Sequence, residues 1–466
     1  MPIRPLALML ACCGAVSSVA HAAPISFEQA WTLLQQENHS LAASRANVDR
    51  YQALHSATDS LNLPSVTLGA NYTRLDTDVT LSGEQLFDST GATMPNLSPA
   101  LGGLVSQLGS VTSTITERDI FSSSIRAVWP IFTGGRINAA QSAAQGKSEQ
   151  AKSELAMETQ ARFEDLSKYY FSVLLTQDVL HTRQLVEAGL TKHRDNALKL
   201  EQQGQIARVE RLQAESALDK AVIERKKAQK DLDIAQAALT KILNQTDGVE
   251  PSDHLFINPN LPPLDLFIDR TLATYPGLAL LDAKEKQANS LIKAEKGRYY
   301  PEVYLYGDYS LYEDDSLASQ LKPEWLVGVG VNVPLIDTSG RSEQVKAAHS
   351  AVSQVRYLKA QAKQDLSVLV QKTYLEAQQA REEVQGLDSS LSLAQENLKL
   401  REKAFSQGLS TSTDVVDAQL YVASVETQKA AASFQYLVSL SKLLALSSEM
   451  DSFKQYQYNA IPLSNR

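Results

Sequence analysis

Thiols are nearly missing from this chain: among 466 residues only Cys12 and Cys13 carry one. Both lie in an N-terminal stretch read below as a removable leader. The expected mature chain therefore has no disulfide, no cysteine–metal site and no cysteine nucleophile. Long apolar runs are missing too. No stretch of about 18 apolar residues occurs, which excludes a helical membrane bundle. Positive charge is short, with 44 Lys and Arg against 53 Asp and Glu and a formal net charge of −9. That argues against a nucleic-acid binder relying on bulk basic charge. Catalytic signatures are also lacking: there is no H-E-x-x-H, no G-x-S-x-G and no P-loop. Gly134-Gly135 lacks the dinucleotide fingerprint, and Gly328 and Gly330 sit inside an alternating extended run, not ahead of a phosphate-binding helix. His181 and His193 lie twelve residues apart on one helical stretch, too far to chelate one metal, and both read as solvated. The residues call for no cofactor and no metal, and they do not read as an enzyme.

What is present begins with an export signal. Arg4 is the lone charge of residues 1–22, residues 6–16 are apolar, and Ala20-His21-Ala22 is an A-x-A cleavage site. Lipidation at Cys12 is the alternative, although Met9-Leu10-Ala11 is a poor context for it.

The remainder is an internal repeat. Trp129-Pro130-Ile131-Phe132 resembles Val333-Pro334-Leu335-Ile336 at an offset of 204, and Gln203-Gly204 matches Gln407-Gly408 at the same offset. Gly135-Arg136 matches Gly340-Arg341 at 205, while Asn62-Leu63-Pro64-Ser65-Val66 resembles Tyr299-Tyr300-Pro301-Glu302-Val303 at 237. The surplus of 33 residues falls in a Gly-, Ser- and Thr-rich insertion at 76–118. The first repeat is expected over 23–250, a Pro-rich linker over 251–263, the second repeat over 264–448 and a tail over 449–466. Each repeat predicts one helix (26–61; 264–296), an extended pair, a very long helix (135–202; 340–406), a glycine turn and a return helix (206–243; 412–446). The long segments are rich in Ala, Gln, Glu, Lys and Leu and free of proline, as long helices require. About 68 helical residues rise roughly 100 Å. The two shorter helices of a half together rise about as far, which predicts a helical wall.

The extended runs alternate. Val66, Leu68, Ala70 and Tyr72 share one face; Trp325, Val327, Val329, Val331 and Val333 share another. Each run is about 9–11 residues, the length of a tilted transmembrane strand, with aromatic residues toward the ends. A soluble sandwich with one buried face remains open at this point. A membrane reading requires several chains, because four strands cannot close a barrel and an open sheet leaves unpaired edges in lipid. Three chains would supply twelve strands.

The segments Tyr-Tyr-Pro-Glu-Val (299–303), Val-Pro-Leu-Ile-Asp…Gly-Arg (333–341) and Gln-Gly-Leu-Ser-Thr-Ser-Thr-Asp-Val-Val-Asp-Ala-Gln (407–419) resemble the TolC-type outer-membrane channel family. The first half carries the same motifs as Leu-Pro-Ser-Val, Trp-Pro-Ile-Phe-Thr-Gly-Gly-Arg and Gln-Gly-Gln-Ile-Ala-Arg-Val-Glu-Arg-Leu-Gln. The resemblance implies a mainly α fold with a membrane β-barrel portion. It implies a homotrimer in the bacterial outer membrane that shares a twelve-stranded barrel and extends a helical tunnel into the periplasm. It implies an exit duct for a tripartite efflux pump, or alternatively for type I protein secretion, working with a periplasmic adaptor and an inner-membrane transporter. A periplasmic coiled-coil scaffold is the further alternative.

Carried over residue by residue, Asp414 and Asp417 match entrance-lining aspartates, and Glu210 matches an acid on the first tip. The tyrosine and arginine of the usual lock are replaced by Phe405 and Ser410, which leaves that lock in question. Gly204, Gln205, Ile206 and Ala207, with Gly408, Leu409, Ser410 and Thr411, are the expected adaptor-docking tips.

Overall fold

The computed structural model describes residues 24–82, 85, 111–314, 316–336 and 338–462. The expected leader at 1–22, with Cys12 and Cys13, and most of the 76–118 insertion lie outside these residues.

The chain is mostly helical. It opens with helices α1 (Phe27–Glu37) and α2 (His39–Ala57), followed by strands β1 (Ser65–Arg74) and β2 (Asp119–Phe132). The long helix α3 (Arg136–Gln202) and its return α4 (Arg208–Ile242) complete the first half. The second half runs α5 (Leu264–Thr274), α6 (Pro276–Gly297), β3 (Glu302–Glu313), β4 (Trp325–Asn332), α7 (Arg341–Ser406) and α8 (Ser412–Leu446).

The expectation of single helices over 26–61 and 264–296 is corrected, because each is broken in two. Asn38 leaves the helical region, and its side-chain oxygen accepts from the N–H groups of Ser40 and Leu41, starting a new helix. Tyr275 is extended because Pro276 follows it, and a residue before proline is pushed out of the α region.

The repeat is visible in the backbone. α4 and α8 each contain 35 residues and are displaced by 204 positions at both ends. Both end on a left-handed residue, Asn244 at φ 55° and Ser448 at φ 57°, again 204 apart. There the N–H of Gln245 bonds the carbonyl of Thr240, and that of Glu449 bonds Leu444. The same Schellman closure thus terminates both return helices.

Two compact units form, and each draws on both halves. The first gathers the described residues up to Asn47, Lys152–Leu280 and the described residues from Lys359 onward. Its core is an aromatic cluster joined by the C-terminal half of α8. Phe27 stands 4.5 Å from Phe453 and 5.4 Å from Tyr170, ring centre to ring centre. Tyr436, Leu437, Leu440, Leu443 and Leu444 are fully buried beside it. A Ser26–Gln29 capping box starts α1 and so aims Phe27, Trp31 and Leu34 into this core. Burying each such side chain contributes about 1.5–3 kcal/mol.

The second unit comprises the described residues of Val48–Ala151 and Leu281–Leu358 and holds a four-stranded antiparallel sheet in the order β1-β2-β3-β4. The register pairs Val66 with Ala127, Leu68 with Ile125 and Tyr72 with Phe121. It also pairs Leu305 with Val329, Val303 with Val331 and Tyr309 with Trp325. One face is therefore apolar across all four strands, and it is open: Leu68 is 72 % exposed and Val327 74 %. The opposite face is polar. Arg126 bonds Asp308 at 3.1 Å, and Tyr304 and Tyr306 lie over Gly330 and Gly328. A Cβ at Gly330 would fall 2.3 Å from the Tyr304 ring, so these glycines make room for tyrosines.

Candidate functional site

The links α3–α4 and α7–α8 are built alike. Gly204 sits at φ 71° and Gly408 at φ 69°, the left-handed region that glycine enters without strain. Gln205 N–H bonds the carbonyl of Leu200 and Leu409 N–H that of Ala404, each at 2.9 Å. The last carbonyls of both long helices are thus satisfied in one tight turn. Gly204, Gln205, Ile206 and Ala207 form the first tip; Gly408, Leu409, Ser410 and Thr411 form the second. Leu409 is 77 % exposed.

Helix α8 starts with a capping box. Thr411 accepts from the N–H of Asp414, and the Asp414 carboxylate accepts from the N–H and hydroxyl of Thr411 and the hydroxyl of Ser410. Arg401 of α7 stands 3.8 Å away. The Thr411 N–H, the two hydroxyls and then the guanidinium hold this carboxyl below the usual aspartate range. Asp417, one turn on, is exposed.

Glu210 lies in the first turn of α4 and reaches across to α8. Its Oε2 accepts from the backbone N–H of Ser412 at 2.6 Å. Gln213 and Thr413 meet beside it at 3.3 Å. On the other side of Ser412 stands His193 of α3, whose Nε2 is 2.7 Å from the Ser412 hydroxyl. The reading of His193 as solvated is corrected: it is only 6 % exposed, whereas His181 does lie on the surface. Phe405 covers the imidazole, its ring centre 4.5 Å from that of His193, and is itself buried. Ala197, Ala214 and Val415 fill in around them. Burial pushes the imidazole below its ordinary value, and the negative charge of Glu210 opposes that shift in part.

Serine, histidine and an acid meet here, yet they cannot perform acyl transfer. Ser412 has no solvent exposure. Glu210 engages the serine's backbone N–H, so no acid orients the imidazole as a general base requires. Among the described residues no group of three or more His, Cys, Asp or Glu side chains is gathered to hold a metal.

Beyond this cluster a cavity of about 480 Å³ opens between α3, α4 and α8. Val209, Leu212, Val416 and Leu420 give it apolar walls, and Arg183, Lys220, Glu224 and Asp417 give it charge.

The structure therefore brings Glu210 to the second tip, while Asp414 turns back on its own cap and Asp417 faces the cavity. Thr411-Ser-Thr-Asp414 ahead of an apolar run is a capping-box signature, so the role of Asp414 was detectable in the sequence. Nothing near His193 in the chain signals its burial.

A family model described as "Outer membrane efflux protein" matches residues 31–245 and 267–448. The solved structure of CusC is similar at a TM-score of 0.73 and 14 % identity, covering 92 % of this chain and 95 % of that one. The Campylobacter jejuni CmeC outer membrane channel gives 0.72 and 13 %, covering 94 % and 90 %. The open state of the Neisseria gonorrhoeae MtrE outer membrane channel gives 0.69 and 18 %, covering 91 % and 89 %. No curated protein matches the chain significantly in sequence.

Proposed function

The chain belongs to the outer membrane efflux protein family, and from that premise we propose that three copies form the outer-membrane exit duct of a tripartite efflux pump. Small molecules would enter from an inner-membrane transporter and a periplasmic adaptor and leave to the outside. The observation that carries this reading is the four-stranded sheet. Its apolar face is exposed, and β1 and β4 each pair on one side only among the described residues. Water would penalise that face, and lipid would penalise the unpaired edges. Three sheets joined edge to edge give twelve strands, remove every edge and turn the apolar face to lipid. A periplasmic scaffold would have no use for such a face. The family model's description supports efflux over protein secretion.

On this reading the repeats, 23–250 and 264–448 about the 251–263 linker, supply equivalent helices to the duct. Glu210, Asp414 and Asp417 of three chains mark its periplasmic entrance. The two tips, 204–207 and 408–411, are the surface offered to the adaptor. Protein extracted from outer membranes in detergent should scatter light as a homotrimer and form conducting pores in planar bilayers. A stable monomer, or a protein that remains in the soluble periplasmic fraction, would overturn the reading.

A further inference from the structure

Four elements converge on His193, and each presents a different chemistry. Its own helix α3 ends nine residues later at the first tip. Helix α8 offers the Ser412 hydroxyl, helix α7 the apolar ring of Phe405, and helix α4 the carboxylate of Glu210, one residue's backbone away through Ser412. Several charged groups on these elements are paired elsewhere. Asp414 of α8 is held by its cap and by Arg401 of α7, and on α3 Arg194 pairs with Asp195 at 2.8 Å. Arg211 of α4 pairs with Glu201 and Glu215. Glu210 is the charge whose field reaches the imidazole. The ring is thus a neutral hydrogen-bonding plug that fixes the first turn of α8 against α3.

We propose that the His193–Ser412 pair is a proton-released latch on the second hairpin tip: taking up a proton at His193 frees the start of α8. A cation there is poorly solvated, with one hydroxyl as its visible partner and an aromatic and alanine wall around it. Glu210 offsets part of that penalty, yet its carboxylate is already committed to the Ser412 N–H. The protonated ring therefore gains by swinging to water, and the Ser412 contact is lost.

The sign follows from linkage. Burial lowers the folded-state value of His193, so the opened tip binds the proton more tightly than the closed one. The latch holds above the ordinary imidazole value of about 6.5 and weakens as pH falls through it. Its consequence for transport, an entrance that loosens in an acidified periplasm, rests on the channel reading above. The latch itself does not.

The test is hydrogen exchange of the full-length protein in detergent, comparing segment 405–420 at about pH 7.5 and about pH 5.5 after correction for intrinsic rates. One group with an ordinary value near 6.5 can raise the open population by at most about tenfold over that range. The wild type should lose protection there by several-fold, up to that limit, while the return-helix segment 430–446 stays unchanged. His193→Gln keeps a hydrogen-bonding amide and cannot titrate in this range, so its protection should be flat with pH. Glu210→Gln removes the opposing charge and should make the response at least as large as in the wild type. A flat wild-type profile overturns the latch even if no variant folds, and an undiminished response in His193→Gln overturns it as well. Conductance of the same sample in bilayers separates the two readings. Pores without a pH-dependent tip refute the latch alone, and a pH-dependent tip without pores refutes the channel alone.

Discussion

The carboxylate of Glu210 and the backbone N–H of Ser412, 202 positions apart in the chain, are joined at 2.6 Å. This bond ties the first turn of one return helix to the first turn of the other. It also satisfies an amide that the start of a helix would otherwise leave without a partner, in a residue with no solvent exposure.

Removing the carboxylate should therefore cost more than a surface contact would. Glu210→Ala leaves the Ser412 N–H buried and unpaired, and the expected loss is about 1–3 kcal/mol. Glu210→Gln retains an acceptor and should lose much less. Denaturant midpoints of the two variants check this, and equal losses would show that the hydrogen bond is immaterial.

The cap at Thr411 gives a second outcome. Thr411→Ala should weaken the start of α8 by about 1 kcal/mol, the usual worth of an N-cap. The Asp414 contribution depends on pH in a defined direction. Its folded value is depressed, so its stabilisation is present at neutral pH and fades as the pH falls below the ordinary aspartate value toward the depressed one. Proteolytic nicking at the tip, followed between neutral and strongly acid pH, should rise at the acid end and do so less in Asp414→Asn.

At the proposed entrance the two aspartates should contribute unequally. Asp414 has Arg401 at 3.8 Å and is bound into its cap, whereas Asp417 is exposed. Asp417→Asn should reduce cation selectivity and block by multivalent cations more than Asp414→Asn does, with the trimer intact in both. Bilayer recordings decide this. Unchanged selectivity in the double variant would make both residues a solvated face.

The sheet supplies a fourth outcome. Val329→Arg places a charge on the apolar face, where a membrane barrel is penalised by about 2–4 kcal/mol near the bilayer middle. Membrane assembly should fall sharply. Asn71→Asp lies on the opposite, polar face of β1 and should be tolerated. Membrane fractionation of both variants tests the assignment of faces, and a tolerated Val329→Arg would argue against lipid on that side.

The sequence by itself determined the repeat, the long helices and the two faces of the sheet. Each is written in local periodicity: no proline through α3 and α7, strict alternation in β1 and β4, and glycine where the backbone turns left-handed at 204 and 408. It did not show the breaks at Asn38 and Tyr275 to a reading that followed apolar period alone, although both carry local signals in an Asn cap and in Pro276. Tertiary structure alone decided the fate of His193. A histidine among polar neighbours on a helix reads as solvated, and only the approach of Ser412 and Phe405, more than two hundred residues away, makes it a buried group. The same holds for Glu210, whose partner is set by which helices pack together. Backbone conformation and amphipathic period are local properties, whereas the burial and pairing of a titratable side chain depend on what the fold brings against it.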